Sequence, residues 1–320
     1  VRRVVDTVLS TLSNTPGEET LMSVLHLPVP TLDVGEAKRD MDESGYALIA
    51  DALTSEQIEA MKTRFFEQVR GEARTSGQEI DVDAGDAHGS IGSILNKGKI
   101  WQDLVDPSHP VYQVVEHAFT PSFDPILAPL QGLEQKFIVS SAGVGFKHLE
   151  PQYPPLFHTD QAFAPGQFDF PMILQCFFLL SDFDPGNGST WITPGSHKKP
   201  RPEWGKFTDE GAWASEAPAG TCIIFEGRTW HAAGVNSSGD IRTLATVTCV
   251  APYIRQRELL SMNIRDDVVA QLSDAQLKLL GFDTMYQGPG GAFIGFNLIE
   301  PTLGRTNVTH KLPTYGELHG

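Results

Sequence analysis

Short apolar runs separated by turn signals, from Phe137 to Val250, restrict the fold of this chain more than any other feature. Phe137-Ile138-Val139, Val144 to Leu149, Met172 to Leu180, Ser189 to Thr193, Thr221 to Phe225 and Leu244 to Val250 all have strand composition. Pro185-Gly186, Pro194-Gly195-Ser196 and Pro218-Ala219-Gly220 fall between them as turns. Strands of this length, punctuated this evenly, predict a sandwich or barrel, with the jelly roll among the options.

Helical signals lie outside that block. Thr54 and Gln57 form a capping box, and Ile58, Met61, Phe65 and Val69 recur at helical spacing, so a helix is expected to run to about Arg70. Gly45 to Ile49 reads as a strand before it, and residues 108–119 as a helix after it. Between Gly71 and Gly98 the chain is rich in Gly, Asp and Ser and reads as a loop, in which His88 is either solvated or placed at a substrate mouth. Ser273-Asp274-Ala275-Gln276 opens a further helix that stops near Gly281. Val4 to Leu12 is a short helix candidate, and Ile294 to Ile299 a late strand. The expected organisation is an N-terminal helical extension over 1–35 and one domain over 36–320. Within that domain the barrel core lies at about 134–252, followed by a C-terminal helix and lid segment over 253–320.

The chemistry concentrates in the strand-rich block. His158 and Asp160 are two residues apart, so in an extended segment both side chains point to one face. His231, which follows a strand and a turn, completes a set of two imidazoles and one carboxylate, the facial arrangement that holds non-heme Fe(II). Three protein ligands leave three positions on an octahedral ion, enough for a bidentate 2-oxo acid and dioxygen. Arg242 stands beyond the turn Asn236-Ser237-Ser238-Gly239-Asp240, where the chain doubles back, and offers a bidentate cation for the distal carboxylate of 2-oxoglutarate. His148 is a competing ligand in another register, whereas His197 reads as a turn residue.

Charge and cysteine content narrow the partners. A net charge of −16 over 320 residues argues against nucleic acid and other polyanions as partners. No apolar run approaches the roughly 20 residues of a membrane span. After Val1-Arg2-Arg3 no long apolar segment or small-residue cleavage site follows, so no signal peptide is expected. Cys176, Cys222 and Cys249 stand singly in apolar runs, which reads as buried free thiols and a reducing, cytoplasmic setting.

Taken together, these residues resemble the phytanoyl-CoA dioxygenase family of Fe(II)/2-oxoglutarate oxygenases. The resemblance is carried by Gly45 to Arg64, by Phe157-His158-Thr159-Asp160, by the segment Gly186 to His197, and by the eleven-residue spacing of His231 and Arg242. Arg257 to Gly281 and Ile294 to Glu300 are similar to fungal alkaloid- and terpenoid-tailoring members. The resemblance implies a mainly β protein with flanking helices, a double-stranded β-helix of the jelly-roll, cupin-like kind. It also implies 2-oxoglutarate contacts from Thr190 and Arg242, an amide at Gln175 close to the co-substrate, and a homodimer whose C-terminal segment covers the neighbouring pocket. One departure is Leu156, where many relatives carry a Gln that touches 2-oxoglutarate. Asp160 argues against a halogenase, which needs a small residue there to admit chloride.

The function expected is oxidation of an unactivated C–H bond in a small natural product, using Fe(II), 2-oxoglutarate and dioxygen. The outcome would be hydroxylation or, by substrate placement, desaturation or rearrangement. An acyl-CoA 2-hydroxylase is the alternative within the family, and the acidic charge weighs mildly against it. Outside it stand a non-catalytic metal-binding barrel, against which the intact set of His158, Asp160, His231 and Arg242 weighs, and a metal hydrolase or isomerase, which would have no use for Arg242. Phe146, Phe157, Phe163 and Trp230 are aromatic neighbours that either shape an apolar pocket or belong to the core.

Overall fold

A computed structural model describes residues 27–76, 88–126, 128, 135–148, 155–163, 168–203 and 205–282. The expected helix Val4 to Leu12 and the expected strand Ile294 to Ile299 lie outside the described residues.

Nine strands are found among the described residues: β1 Tyr46–Ile49, β2 His88–Gly92, β3 Ile138–Lys147, β4 Ile173–Leu179, β5 Thr190–Ile192, β6 Trp213–Ala214, β7 Cys222–Glu226, β8 His231–Ala233 and β9 Arg242–Val250. They form two antiparallel sheets, one in the order β1-β7-β4-β9-β3-β2 and one in the order β6-β5-β8. An antiparallel bridge between His158 and His231 adds the segment before Asp160 to the free side of β8. From β3 onward the chain alternates between the sheets: β3 in the large one, His158 in the small, β4 large, β5 and β6 small, β7 large, β8 small, β9 large. That alternation of two four-strand layers is a jelly roll, and β1 and β2 extend its large sheet at either edge.

Helices cover the outer face of the large sheet. The helix α1, Val34–Ser44, is capped by Asp33, whose carboxylate accepts from the N–H groups of Gly35 and Glu36, and it stops at Gly45 with φ of 79°. The helix α2, Ser55–Ser76, opens on the expected box, Gln57 N–H to Thr54 Oγ1 and Thr54 N–H to Gln57 Oε1. The helix α3, Pro110–Phe119, begins with proline at its first position. Three short helices follow the barrel: α4 Leu260–Asn263, α5 Asp266–Val269 and α6 Asp274–Leu279, the last with its capping box at Ser273 and Gln276.

Alternation along the strands splits the core. Leu174, Cys176 and Phe178 of β4 pack with Cys222 and Ile224 of β7 and Ala245, Val247 and Cys249 of β9 against the helices. Phe177, Leu179, Ile223, Phe225 and Leu244 turn the other way, into the space between the sheets. Full burial of each such side chain contributes about 1.5–3 kcal/mol. The three cysteines are free and buried, as expected, all in the helix-facing layer, where burial pushes the Cys222 and Cys249 thiols well above the usual range.

Three differences from the sequence reading have physical causes. The helix expected to end near Arg70 continues to Ser76. The expected loop contains β2, whose Gly and Ser residues carry no strand propensity; pairing with β3 creates it, and Gly89 is needed because a Cβ there would lie 2.6 Å from Phe146. The runs at Phe137 and Val144 are one strand, β3, with a bulge between Val139 and Ser141.

Candidate active site

Between the sheets lies a cavity of about 490 Å³, and its lining includes His158, Asp160, Gln175, Thr190, His231 and Arg242. All six residues singled out in the sequence therefore converge on one space.

His158 and His231 face each other through a reciprocal backbone pair: His158 N–H donates to the His231 carbonyl at 2.9 Å, and His231 N–H donates back at 3.0 Å. This register brings the two rings together at a tilt of 53°, with centroids 4.3 Å apart. Each imidazole also donates its Nδ1–H to the carbonyl two residues earlier, His158 to Leu156 and His231 to Thr229, both at 3.0 Å. A carbonyl oxygen only accepts, so both rings are held as the tautomer with a free Nε2 lone pair. Burial pushes the His231 pKa down, which keeps that ring neutral, while Asp160 pulls in the opposite sense.

Asp160 begins a short 3₁₀ turn over Asp160–Phe163, so it leaves the extended geometry assumed from the sequence while its carboxylate still reaches the imidazoles. Its Oδ1 is 3.7 Å from His158 Nε2 and 3.8 Å from His231 Nε2. Two donors bound at about 2.1 Å to one ion can be at most about 4.2 Å apart, so these separations fit a shared metal. The donor set, two neutral imidazoles and one carboxylate, suits Fe(II) with positions left for other ligands. Among the described residues, no other group of three such side chains comes this close together.

The outer residues orient this set. Gln175 donates its amide to Asp160 Oδ2 at 2.8 Å and accepts from Thr248 Oγ1 at 2.8 Å. Thr248 carried no sequence signal of its own; only its register opposite Gln175 reveals it. Leu156 is 65% exposed, so its side chain takes no part in the cavity, and its carbonyl orients His158. The turn that carries His231 is clamped by a fork between the buried Glu226 carboxylate and Arg228, and Thr229 Oγ1 donates to the Gly45 carbonyl.

Arg242 starts β9 at the other end of the cavity. Its guanidinium lies 4.9 Å over the Phe183 ring, and Nη1 donates to the Gly188 carbonyl at 2.6 Å. Gly188 has a φ of 80°, and a Cβ there would come within 2.9 Å of the Gly234 carbonyl, so only glycine brings this carbonyl so close. Lys147 is paired across the strands with Arg242 and donates to Gly234, a second buried cation at this end that the sequence did not disclose.

The competing histidines fall elsewhere. His148 contacts the Gly239 carbonyl at 3.2 Å and lies outside the triad. His197 is buried in the turn after β5. The side chains of His88 and Phe163 lie outside the described residues. Phe146 lines the cavity, Phe157 is core and Trp230 borders a separate basic hollow with Lys199, Arg201 and Arg228. Phe177, not singled out in the sequence, also lines the cavity.

The model of the phytanoyl-CoA dioxygenase (PhyH) family matches residues 41–244. Dioxygenase ALT11 of Alternaria alternata is 31% identical over 134 residues, 41% of this chain and 44% of that protein. Dioxygenase aneA of Aspergillus aculeatus is 32% identical over 147 residues, 42% of this chain and 47% of that protein. Dioxygenase FUM3 of Gibberella moniliformis is similar over a longer stretch, 23% identical across 77% of this chain and 81% of its own length. The matches with the first two thus span less than half the length of each. A solved structure, the non-heme alpha ketoglutarate dependent epimerase SnoN, superposes with a TM-score of 0.48 at 18% identity, covering 68% of this chain and 81% of that one.

Proposed function

The chain belongs to the phytanoyl-CoA dioxygenase family, and we propose that it is an Fe(II)/2-oxoglutarate-dependent dioxygenase acting on a C–H bond of a small natural product. The observation that carries this reading is the placement of His158, Asp160 and His231 in one cavity with Arg242.

Iron with 2-oxoglutarate and dioxygen supplies the oxidising power for C–H cleavage, with succinate and carbon dioxide as co-products. His158, Asp160 and His231 hold the metal. Arg242 takes the distal carboxylate of 2-oxoglutarate, its plane fixed by Phe183 and Gly188, so little rotamer entropy is lost on binding. Thr190, on the facing sheet, borders the same space and offers a hydroxyl to that carboxylate. Gln175 holds Asp160 so that Oδ1 faces the imidazoles, a contact of the kind that tunes metal affinity. The walls at Val144, Phe146, Phe177 and Leu244 favour an apolar skeleton and keep water from the reacting carbon. The net charge of −16 favours a natural-product substrate over a polyanionic acyl-CoA.

The test is succinate formation by the full chain with Fe(II), 2-oxoglutarate and air, across a panel of alkaloids, terpenoids and acyl-thioesters. A natural-product scaffold that raises succinate output above the substrate-free rate, with stoichiometric oxidation of the scaffold, supports the reading. Stimulation by acyl-thioesters alone moves the substrate to the other class.

A further inference from the structure

The cavity has a second polar pole. At the β3 bulge, Ser140 Oγ accepts from the N–H of Arg257 and the Ser140 carbonyl accepts from the N–H of Glu258, each at 2.9 Å. This pins the segment after β9 across the cavity, and the Glu258 side chain lines the same space as the metal triad. Its Oε1 accepts from the Ser93 N–H at 3.3 Å. Its Oε2 is shielded from solvent and has no partner in full hydrogen-bond geometry, the Ala142 N–H being the backbone donor close to the carboxylate. A carboxylate oxygen in that state is costly, and a donor brought by a ligand removes the cost.

The strands behind the two poles lie on either side of β9. Gln175 of β4, Thr248 of β9 and Ser141 of β3 stand abreast in register. Two interstrand steps of about 4.8 Å place the strand that anchors Glu258 about 10 Å from the strand that holds Asp160 through Gln175. Apolar side chains, Ile91, Val144, Phe146 and Phe177 among them, line the space. A fused-ring skeleton spans such a gap.

We propose that Glu258 is a specificity-determining residue that recognises a positively charged amine on the substrate, holding the apolar skeleton between itself and the metal triad. The inference rests on the oxygenase reading of the same cavity and assigns the substrate class within it. A cationic amine fits better than a hydroxyl because it brings charge as well as a donor. Burial pushes the Glu258 pKa up against the opposing pull of the Ser93 N–H, Lys97, the Ala142 N–H and Arg257, so an added cation returns stability to the carboxylate. Lys97 is engaged by Glu72, and Arg257, although it lines the same cavity, is exposed to solvent, which screens its charge.

The experiment uses the full chain loaded with Fe(II) and 2-oxoglutarate under argon, and titrates the aminomethyl, acetamidomethyl and carboxyl derivatives of anthracene by calorimetry. Wild type is expected to bind the amine about tenfold or more tightly than the neutral amide. Glu258→Gln keeps an acceptor for Ser93 and is expected to bring that ratio to about one; Glu258→Lys is expected to favour the carboxylate. A wild-type ratio near one, a ratio unchanged in Glu258→Gln, or no binding by any derivative overturns the proposal. Failure of the oxygenase reading is separate: it shows as a missing Fe(II)–2-oxoglutarate absorption band before any derivative is added.

Discussion

The Gln175 amide donates to Asp160 Oδ2 at 2.8 Å, which leaves Oδ1 as the oxygen that faces both imidazoles. Because Gln175 Oε1 is in turn held by Thr248, the carboxylate is oriented by a chain of contacts across two strands. Outer contacts of this kind typically change metal affinity by about 10–100-fold. Gln175→Leu is therefore expected to weaken Fe(II) binding by about that factor while the thermal midpoint of the metal-free protein changes little. An Fe(II) titration of both proteins checks it.

Arg242 is expected to act on the co-substrate and not on the metal. Arg242→Met removes the cation over Phe183, and 2-oxoglutarate affinity should fall by about a hundredfold, the scale of a lost charge-assisted pair. Fe(II) affinity in the absence of 2-oxoglutarate should stay within about twofold. Equal loss of both affinities would mean that the variant has collapsed the cavity.

The Glu226–Arg228 fork holds the turn that delivers His231. Breaking a buried pair from one side leaves an uncompensated charge at a cost of about 3–5 kcal/mol. Arg228→Met should lower stability on that scale, read as a fall in the denaturation midpoint. The double variant Glu226→Gln with Arg228→Met should recover a large part of it.

His197 predicts an acid limit. Burial foremost, then Arg228 and Lys198, lowers its pKa from 6.5 to about 4, against a weaker pull from Asp42. The folded state thus binds fewer protons than the unfolded state between these values. Stability from this group is complete above about pH 6.5 and is lost as pH falls toward 4, by about 3 kcal/mol at most. His197→Asn should flatten the fall of the thermal midpoint across that window relative to wild type.

Legibility in the sequence followed the range of the interactions. His158, Asp160, His231 and Arg242 could be read because each sits at a turn or strand end whose local signals are strong. Jelly-roll strands of ordinary β composition were visible for the same reason. The helix α1 is capped by Asp33 and Gly45, but its buried face carries Asp40 and Ser44 beside Ala37 and Met41, so it shows little apolar periodicity. No local signal exists for β2 or for Thr248, Lys147 and Glu258, whose roles come from register across β3, β4 and β9 and from the bulge at Ser140. At Leu156 the sequence shows the side chain, which is exposed, while the carbonyl that holds His158 is a backbone contact with no residue signature.

The most direct measurement is anaerobic addition of Fe(II) and then 2-oxoglutarate to the full chain, followed by visible absorption. One equivalent of each should produce a weak charge-transfer band that is absent with either alone. His231→Ala and Asp160→Ala should abolish it, and His148→Ala should leave it intact. A band that survives both triad substitutions, or that disappears with His148→Ala alone, would contradict the assignment of the metal to His158, Asp160 and His231.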